Sequence, residues 1–113
     1  CCAIRKIGPL KHGLSGLDAW ITGIRREQSP ARATAKKVEW DEQFGLVKIN
    51  PLADWTEKDV WREVHKLSLP YHPLHDQGFA SIGCVPCTRP GEGRDGRWAG
   101  TDKVECGLHQ EAA

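Results

Sequence analysis

Five cysteines carry the chemistry that this sequence offers: Cys1, Cys2, Cys84, Cys87 and Cys106. They form an adjacent pair, a C-x-x-C and one cysteine alone. An odd count with no secretion signal in view argues against a disulfide framework, and a bond between neighbours such as Cys1 and Cys2 strains the preferred geometry. Two thiol pairs instead offer four thiolates to one metal centre, and tetrahedral sulfur ligation suits zinc or an iron–sulfur cluster. Cys84-Val85-Pro86-Cys87 has the spacing of a tight metal knuckle. Cys1-Cys2 does not, because neighbouring side chains point different ways. The separated corners of a cubane accept such a pair slightly better than one zinc ion does. A thioredoxin-like redox role for the C-x-x-C lacks a surrounding βαβ pattern, and inert structural thiols are the plain alternative. Cys106 lies apart in Glu105-Cys106-Gly107-Leu108-His109. It is either a nucleophile, with a histidine and basic residues nearby to favour the thiolate, or an idle cysteine on a frayed tail.

The cationic residues cluster around these cysteines. Lys6 follows the adjacent pair, and Arg89, Arg94 and Arg97 follow the C-x-x-C. Thr22-Gly23-Ile24-Arg25-Arg26-Glu27-Gln28-Ser29 gathers hydroxyls, a glycine and two guanidiniums. Glycine lets the backbone approach a ligand, and arginine bonds phosphate or sulfate oxygens in pairs. Brought together, these groups make an anion pocket beside a metal centre; taken singly, each arginine reads as a solvated surface residue. His72 and His75 flank Pro73 and are assigned no role.

The elements that must position these groups are short. Gly8-Pro9 is expected to break any helix entering from upstream, with a short helix resuming between Leu10 and Leu14. Residues 19–24 read as a buried strand, 25–37 as a polar loop, and 38–41 with 46–49 as a hairpin around Gly45. The best helix runs from Glu57 to Leu67, with Thr56 as N-cap, Asp59 completing an acidic capping box, and Val60, Trp61, Val64 and Leu67 on a core-facing side. Pro70 ends it, a Pro- and Gly-containing loop leads to the C-x-x-C, and residues from Pro90 onward read as a flexible tail.

The whole chain has 113 residues, 39% hydrophobic and 27% charged, enough for one modest core. Sixteen Lys and Arg against fifteen Asp and Glu give a net charge of +1, which excludes a strongly basic nucleic-acid arm. No apolar run approaches the length of a membrane span. The absence of Met and the start at Cys1 point to the C-terminal piece of a longer chain.

Taken in order, Cys1-Cys2-Ala3-Ile4-Arg5-Lys6, the Thr22–Ser29 segment, Cys84-Val85-Pro86-Cys87-Thr88-Arg89-Pro90, Arg94-Asp95-Gly96-Arg97-Trp98 and Glu105-Cys106-Gly107-Leu108-His109 resemble the C-terminal half of the assimilatory adenylyl-sulfate (APS) reductases. These are the cluster-containing branch of the PAPS reductase family. The resemblance implies an α/β fold, the C-terminal part of an adenine nucleotide alpha hydrolase-like (PP-loop type) domain over residues 1–89, with a flexible tail over 90–113 bearing the catalytic cysteine. It implies one [4Fe-4S] cluster on Cys1, Cys2, Cys84 and Cys87, with substrate bound by Lys6, Arg25, Arg26, Arg94 and Arg97. Cys106 would attack the sulfur of adenylyl sulfate, AMP would leave, and thioredoxin or a glutaredoxin-like dithiol would release sulfite from the S-sulfocysteine. A cytoplasmic homo-oligomer with no nucleic-acid or membrane partner is implied as well. Two departures stand out: the nucleotide-binding core with its Ser-Gly-Gly phosphate loop is absent from these residues, and the stretch between Arg97 and Cys106 is short. The isolated piece is therefore expected to be inactive. PAPS as substrate is the close alternative, and a non-catalytic Cys₄ zinc module for an anionic partner is the distant one.

Overall fold

Gly8-Pro9 does not break the first helix. Proline has no amide to donate, and its ring crowds the carbonyl four residues back, so an uninterrupted α-register is unavailable. The chain absorbs this by widening one turn. Residues Ala3–Ile7 are π-helical, the Gly8 N–H reaches the Ala3 carbonyl, and α1 (Gly8–Leu14) continues with proline in its first turn. The expected break is thus a change of hydrogen-bond register. The computed structural model describes residues 2–94, 96, 97 and 109.

The chain divides into two compact units, Cys1–Trp55 with Glu105–Ala113, and Thr56–Val104. The first is built on a three-stranded sheet of β1 (Ala19–Ile21), β2 (Val38–Asp41) and β3 (Leu46–Ile49) in the order β1-β3-β2. β1 runs parallel to β3, with Trp20 opposite Lys48; β2 is antiparallel to β3, with Glu39 opposite Lys48. The hairpin forms where the alternation around Gly45 places it, and Gly45 supplies the positive φ of 70° its turn requires.

β1 is shorter than the expected 19–24. Thr22 N–H still donates to the Ile49 carbonyl at 2.9 Å, but the Thr22 hydroxyl turns inward to Asn50, and Ile24 N–H donates to that hydroxyl at 3.4 Å. Local side-chain bonds of this kind compete with the ladder and end the strand. Residues 25–37 are not plain loop either. Two 3₁₀ turns, Arg26–Gln28 and Pro30–Arg32, fold the segment down, burying Arg32 and Ala35.

The second unit opens with α2 (Glu57–Lys66). The Thr56 hydroxyl accepts from Asp59 N–H at 3.1 Å while the Asp59 carboxylate accepts from Thr56 N–H at 2.9 Å. That backbone bond, above all, holds the Asp59 carboxyl below its ordinary pKa of 3.8. The helix stops before Pro70. Ser68 takes a left-handed φ of 51°, with its N–H bonded to the His65 carbonyl and Leu69 N–H to the Val64 carbonyl, the paired bonds of a Schellman stop. No residue of α2 is fully buried: Val60, Trp61 and Val64 are only half-covered, and Leu67, expected on the core-facing side, is 59% exposed. A 3₁₀ turn, Pro73–Gln77, follows. Beyond Pro90, Gly91 pairs with Phe79 and Arg97 with Thr88, so the described residues of this stretch join the second unit's backbone bonding. Among the described residues, no helix is long and apolar enough to cross a membrane.

Candidate functional site

In the first unit the arginine loop leaves the end of β1 and is held from below by Asn50. That side chain is fully buried; its Oδ1 accepts from the Thr22 hydroxyl and its Nδ2 donates to the Lys36 carbonyl at 2.8 Å. Its backbone N–H also donates to Lys37 O at 2.7 Å. One amide therefore joins the end of β3, the start of the arginine loop and the 36–37 segment. Within the loop, Gln28 Oε1 accepts from Arg25 N–H at 3.0 Å and from Arg32 Nη1 at 2.6 Å. The backbone is rigidly cross-braced at the residues expected to meet an anion.

Arg25 is the residue this bracing presents. Its side chain is only 15% exposed, its Nη1 lies 3.8 Å from the Glu27 carboxylate, and that nitrogen has no hydrogen-bond acceptor. The nearby Ser29 hydroxyl is likewise buried without a hydrogen-bond partner. Buried polar atoms are ordinarily satisfied, so two such donors in one loop mark a place prepared for acceptor oxygens. Arg26 is committed differently: its Nε donates to the Ala35 carbonyl at 2.6 Å and its backbone N–H to Ala53 O at 2.9 Å, which staples the loop. Lys6 sits half-buried in the π-turn, four residues after half-buried Cys2.

In the second unit Cys84 and Cys87 bracket a single 3₁₀ turn, Val85–Cys87. Cys87 N–H donates to the Cys84 carbonyl at 2.9 Å; the Thr88 hydroxyl donates to that same carbonyl at 2.9 Å and accepts from Gly83 N–H at 2.9 Å. Thr88 is buried, so this clasp fixes the knuckle. Both thiols are half-buried and neither is in a disulfide. Arg97 packs its guanidinium against Gly83 and donates from Nη1 to the Ser81 hydroxyl at 3.1 Å, beside the first of these cysteines in sequence. Arg94 is half-buried, and its carbonyl accepts from Arg97 N–H at 2.9 Å.

The expected site residues therefore fall into two sets. The first unit holds Cys2, Lys6, Arg25 and Arg26; the second brings Cys84, Cys87, Arg94 and Arg97 into one hydrogen-bonded loop system. Cys1 and Cys106 lie outside the described residues. Among the described residues, no three His, Cys, Asp or Glu side chains form a metal-binding group. His72 Nδ1 accepts from Leu74 N–H at 3.1 Å, and His75 Nδ1 lies 2.8 Å from the Phe79 carbonyl, to which it can only donate. Sequence reasoning missed Asn50, Thr88 and Arg32. Only Asn50 carried a signal, the Asn-Pro turn that closes β3.

Residues 1–90 match the family described as phosphoadenosine phosphosulfate reductase domain. The chain belongs to that family. This reductase domain is 53% identical to an adenosine 5'-phosphosulfate reductase of Salinibacter ruber, covering 96% of the chain and 45% of the relative. It is 56% identical to one of Lysinibacillus sphaericus, covering 97% and 49%. A phosphoadenosine 5'-phosphosulfate reductase of Gloeobacter violaceus is 55% identical over 96% of the chain and 48% of the relative. The chain thus spans about half the length of the curated relatives it matches. The crystal structure of a phosphoadenylyl-sulfate (PAPS) reductase from Candida auris, a phosphate complex, superposes with a TM-score of 0.61 at 32% identity, over 72% of this chain and 38% of that one. The α/β fold expected from the motifs is the fold of that structure's matching part.

Proposed function

We propose that this reductase domain is the part of an adenylyl-sulfate reductase that holds a cluster, binds the sulfate end of the substrate and carries the nucleophile. The observation that carries this reading is the Arg25 loop, whose buried Nη1 and Ser29 hydroxyl lack hydrogen-bond acceptors in a family named for a sulfated nucleotide. Two of the three relatives above are named for the substrate without a 3′-phosphate, which favours APS over PAPS.

Lys6, Arg25, Arg26, Arg94 and Arg97 supply the positive charge. When the bond between sulfur and the bridging oxygen breaks, its electron pair passes to the phosphate of AMP, and cations placed there stabilise the transition state more than the ground state. Cys106, within the 90–113 tail, attacks as thiolate and becomes an S-sulfocysteine. A dithiol such as thioredoxin then attacks the Cys106 sulfur; a disulfide bond forms, the bond to the sulfonate breaks, and sulfite leaves with the electron pair. The second thiol of the partner resolves the mixed disulfide and returns Cys106 as thiolate.

Cys84 and Cys87, two thiols on one turn with no disulfide, suit thiolate ligation, and with Cys1 and Cys2 they would hold a [4Fe-4S] cluster. That group's contribution when bound is to tie the two cysteine segments together. Cys84 and Cys87, outside any disulfide, fit a reducing cytoplasm. A homo-oligomer remains part of the reading.

Anaerobically produced complete protein should contain about four irons and four acid-labile sulfides per chain. Stoichiometric zinc without sulfide would replace the cluster with a zinc module. In the same protein Cys106→Ser should abolish sulfite release from APS, and Arg25→Ala should lower kcat/KM by about ten- to hundred-fold, the worth of a charged hydrogen bond. Unchanged turnover in Cys106→Ser overturns the reading, and faster turnover of PAPS than APS overturns the substrate assignment.

A further inference from the structure

Trp20 makes four side-chain contacts within the first unit. Its Nε1–H donates to the Asp41 carboxylate at 3.1 Å, and the Phe44 ring meets it edge-on, 5.7 Å between centroids at 85°. The ammonium of Lys48, a residue only 3% exposed, lies 5.5 Å from its ring centroid. The imidazole of His109 stacks on it, 5.6 Å between centroids and 2° from parallel. The first three contacts come from the sheet and its hairpin turn and fix the indole plane. The fourth comes from the far end of the chain, from the last residue of the Glu105-Cys106-Gly107-Leu108-His109 motif.

We propose that Trp20 is a positioning residue for the cysteine-bearing tail: its indole face is the dock on which His109 stacks, so that Cys106 is tethered beside the strand that runs into the Arg25 loop. This rests on the reading of Cys106 as nucleophile. His109 follows Cys106 by three residues, a reach of about 11 Å at full extension, and Trp20 precedes Arg25 by five, about 17 Å. A tail anchored at His109 therefore keeps its thiol within a short radius of β1. Indole and imidazole suit the task, since offset stacking of flat rings fixes orientation as well as distance. The hydrogen bond from Nε1 to Asp41 fixes the rotation of the indole.

The test uses the complete reductase and reads release of the peptide that begins at Val104 by a lysine-specific protease cutting after Lys103, followed by mass spectrometry. This readout does not depend on activity. Trp20→Leu and His109→Ala should each speed release by about two- to tenfold, the worth of one aromatic pair. Trp20→Phe and His109→Phe, which keep a stackable ring, should stay within about twofold of the parent, and the double variant Trp20→Leu/His109→Ala should release no faster than either single one. In turnover, Trp20→Leu should lower kcat while leaving KM for APS within about twofold. His109→Ala alters only the tail, so it decides the dock even if Trp20→Leu does not fold. Unchanged release in His109→Ala, or effects of the two substitutions that multiply in the double variant, overturns the dock. Sulfite release that survives Cys106→Ser removes instead the reading of Cys106 as nucleophile, and leaves the protease result standing as a statement about tail anchoring.

Discussion

A methyl group on Gly96 would overlap the carbonyl oxygen of Arg89, whose own N–H donates to the Gly96 carbonyl at 2.7 Å. Only a residue without a side chain lets the two strands of this small loop close, and their closure frames the C-x-x-C turn. Gly96→Ala should therefore destabilise the second unit by at least about 1–3 kcal/mol, the usual cost of forcing atoms into filled space. Urea unfolding of the complete protein measures this, and a midpoint equal to the parent's would mean that the loop opens at no cost. The chemistry of single residues was the most legible layer. The C-x-x-C spacing and the paired arginines of a glycine-containing loop are visible at once, because both depend on residue type alone. Asn50 was illegible for the opposite reason: one asparagine in a sequence looks like a turn former, and only burial makes it a three-way brace.

At the scale of elements, the capping box on α2 and the hairpin around Gly45 lie where local pattern places them, because their hydrogen bonds span three or four residues. The ends were harder to read. Pro70 suggests a stop, yet the helix closes earlier through Ser68 at a φ of 51°. That conformation costs an L-residue roughly 1 kcal/mol that glycine does not incur. Ser68→Gly should accordingly raise stability by about 0.5–1 kcal/mol, less what glycine's greater freedom returns to the unfolded chain. A thermal scan checks the sign: a lower Tm would show that Ser68 makes a contact worth more than the strain. Gly8-Pro9 failed as a breaker because the π-turn shifts the bonding by one residue, a solution that depends on neighbours fitting a wider turn.

For the whole molecule, the distribution of apolar surface matters more than its amount. One side of the three-stranded sheet carries Trp20, Glu39, Asp41, Leu46 and Lys48, largely covered; the other carries Ala19, Ile21, Val38, Trp40, Val47 and Ile49. On that second side Ile21, Val38 and Trp40 are 72%, 63% and 62% exposed. A sheet face of this composition normally packs against another layer, and the curated relatives are about twice as long as this chain. The 113-residue chain on its own should bind 8-anilinonaphthalene-1-sulfonate with a marked rise in fluorescence, and Val38→Thr with Trp40→Thr should remove most of it. No rise in the parent chain would mean that the face is already covered.

The sequence by itself determined the cysteine spacing, the grouping of the cations, the hairpin, the cap of α2 and the resemblance to a reductase family. All of these are written in short-range spacing or residue chemistry. Tertiary structure alone decided that Arg25 is half-enclosed while Arg26 is spent as a staple, that Thr88 clasps the Cys84–Cys87 turn, and that His109 lies on Trp20 although 88 intervening residues separate them. Such pairings depend on burial and on contacts between distant segments, which no local pattern of residues encodes.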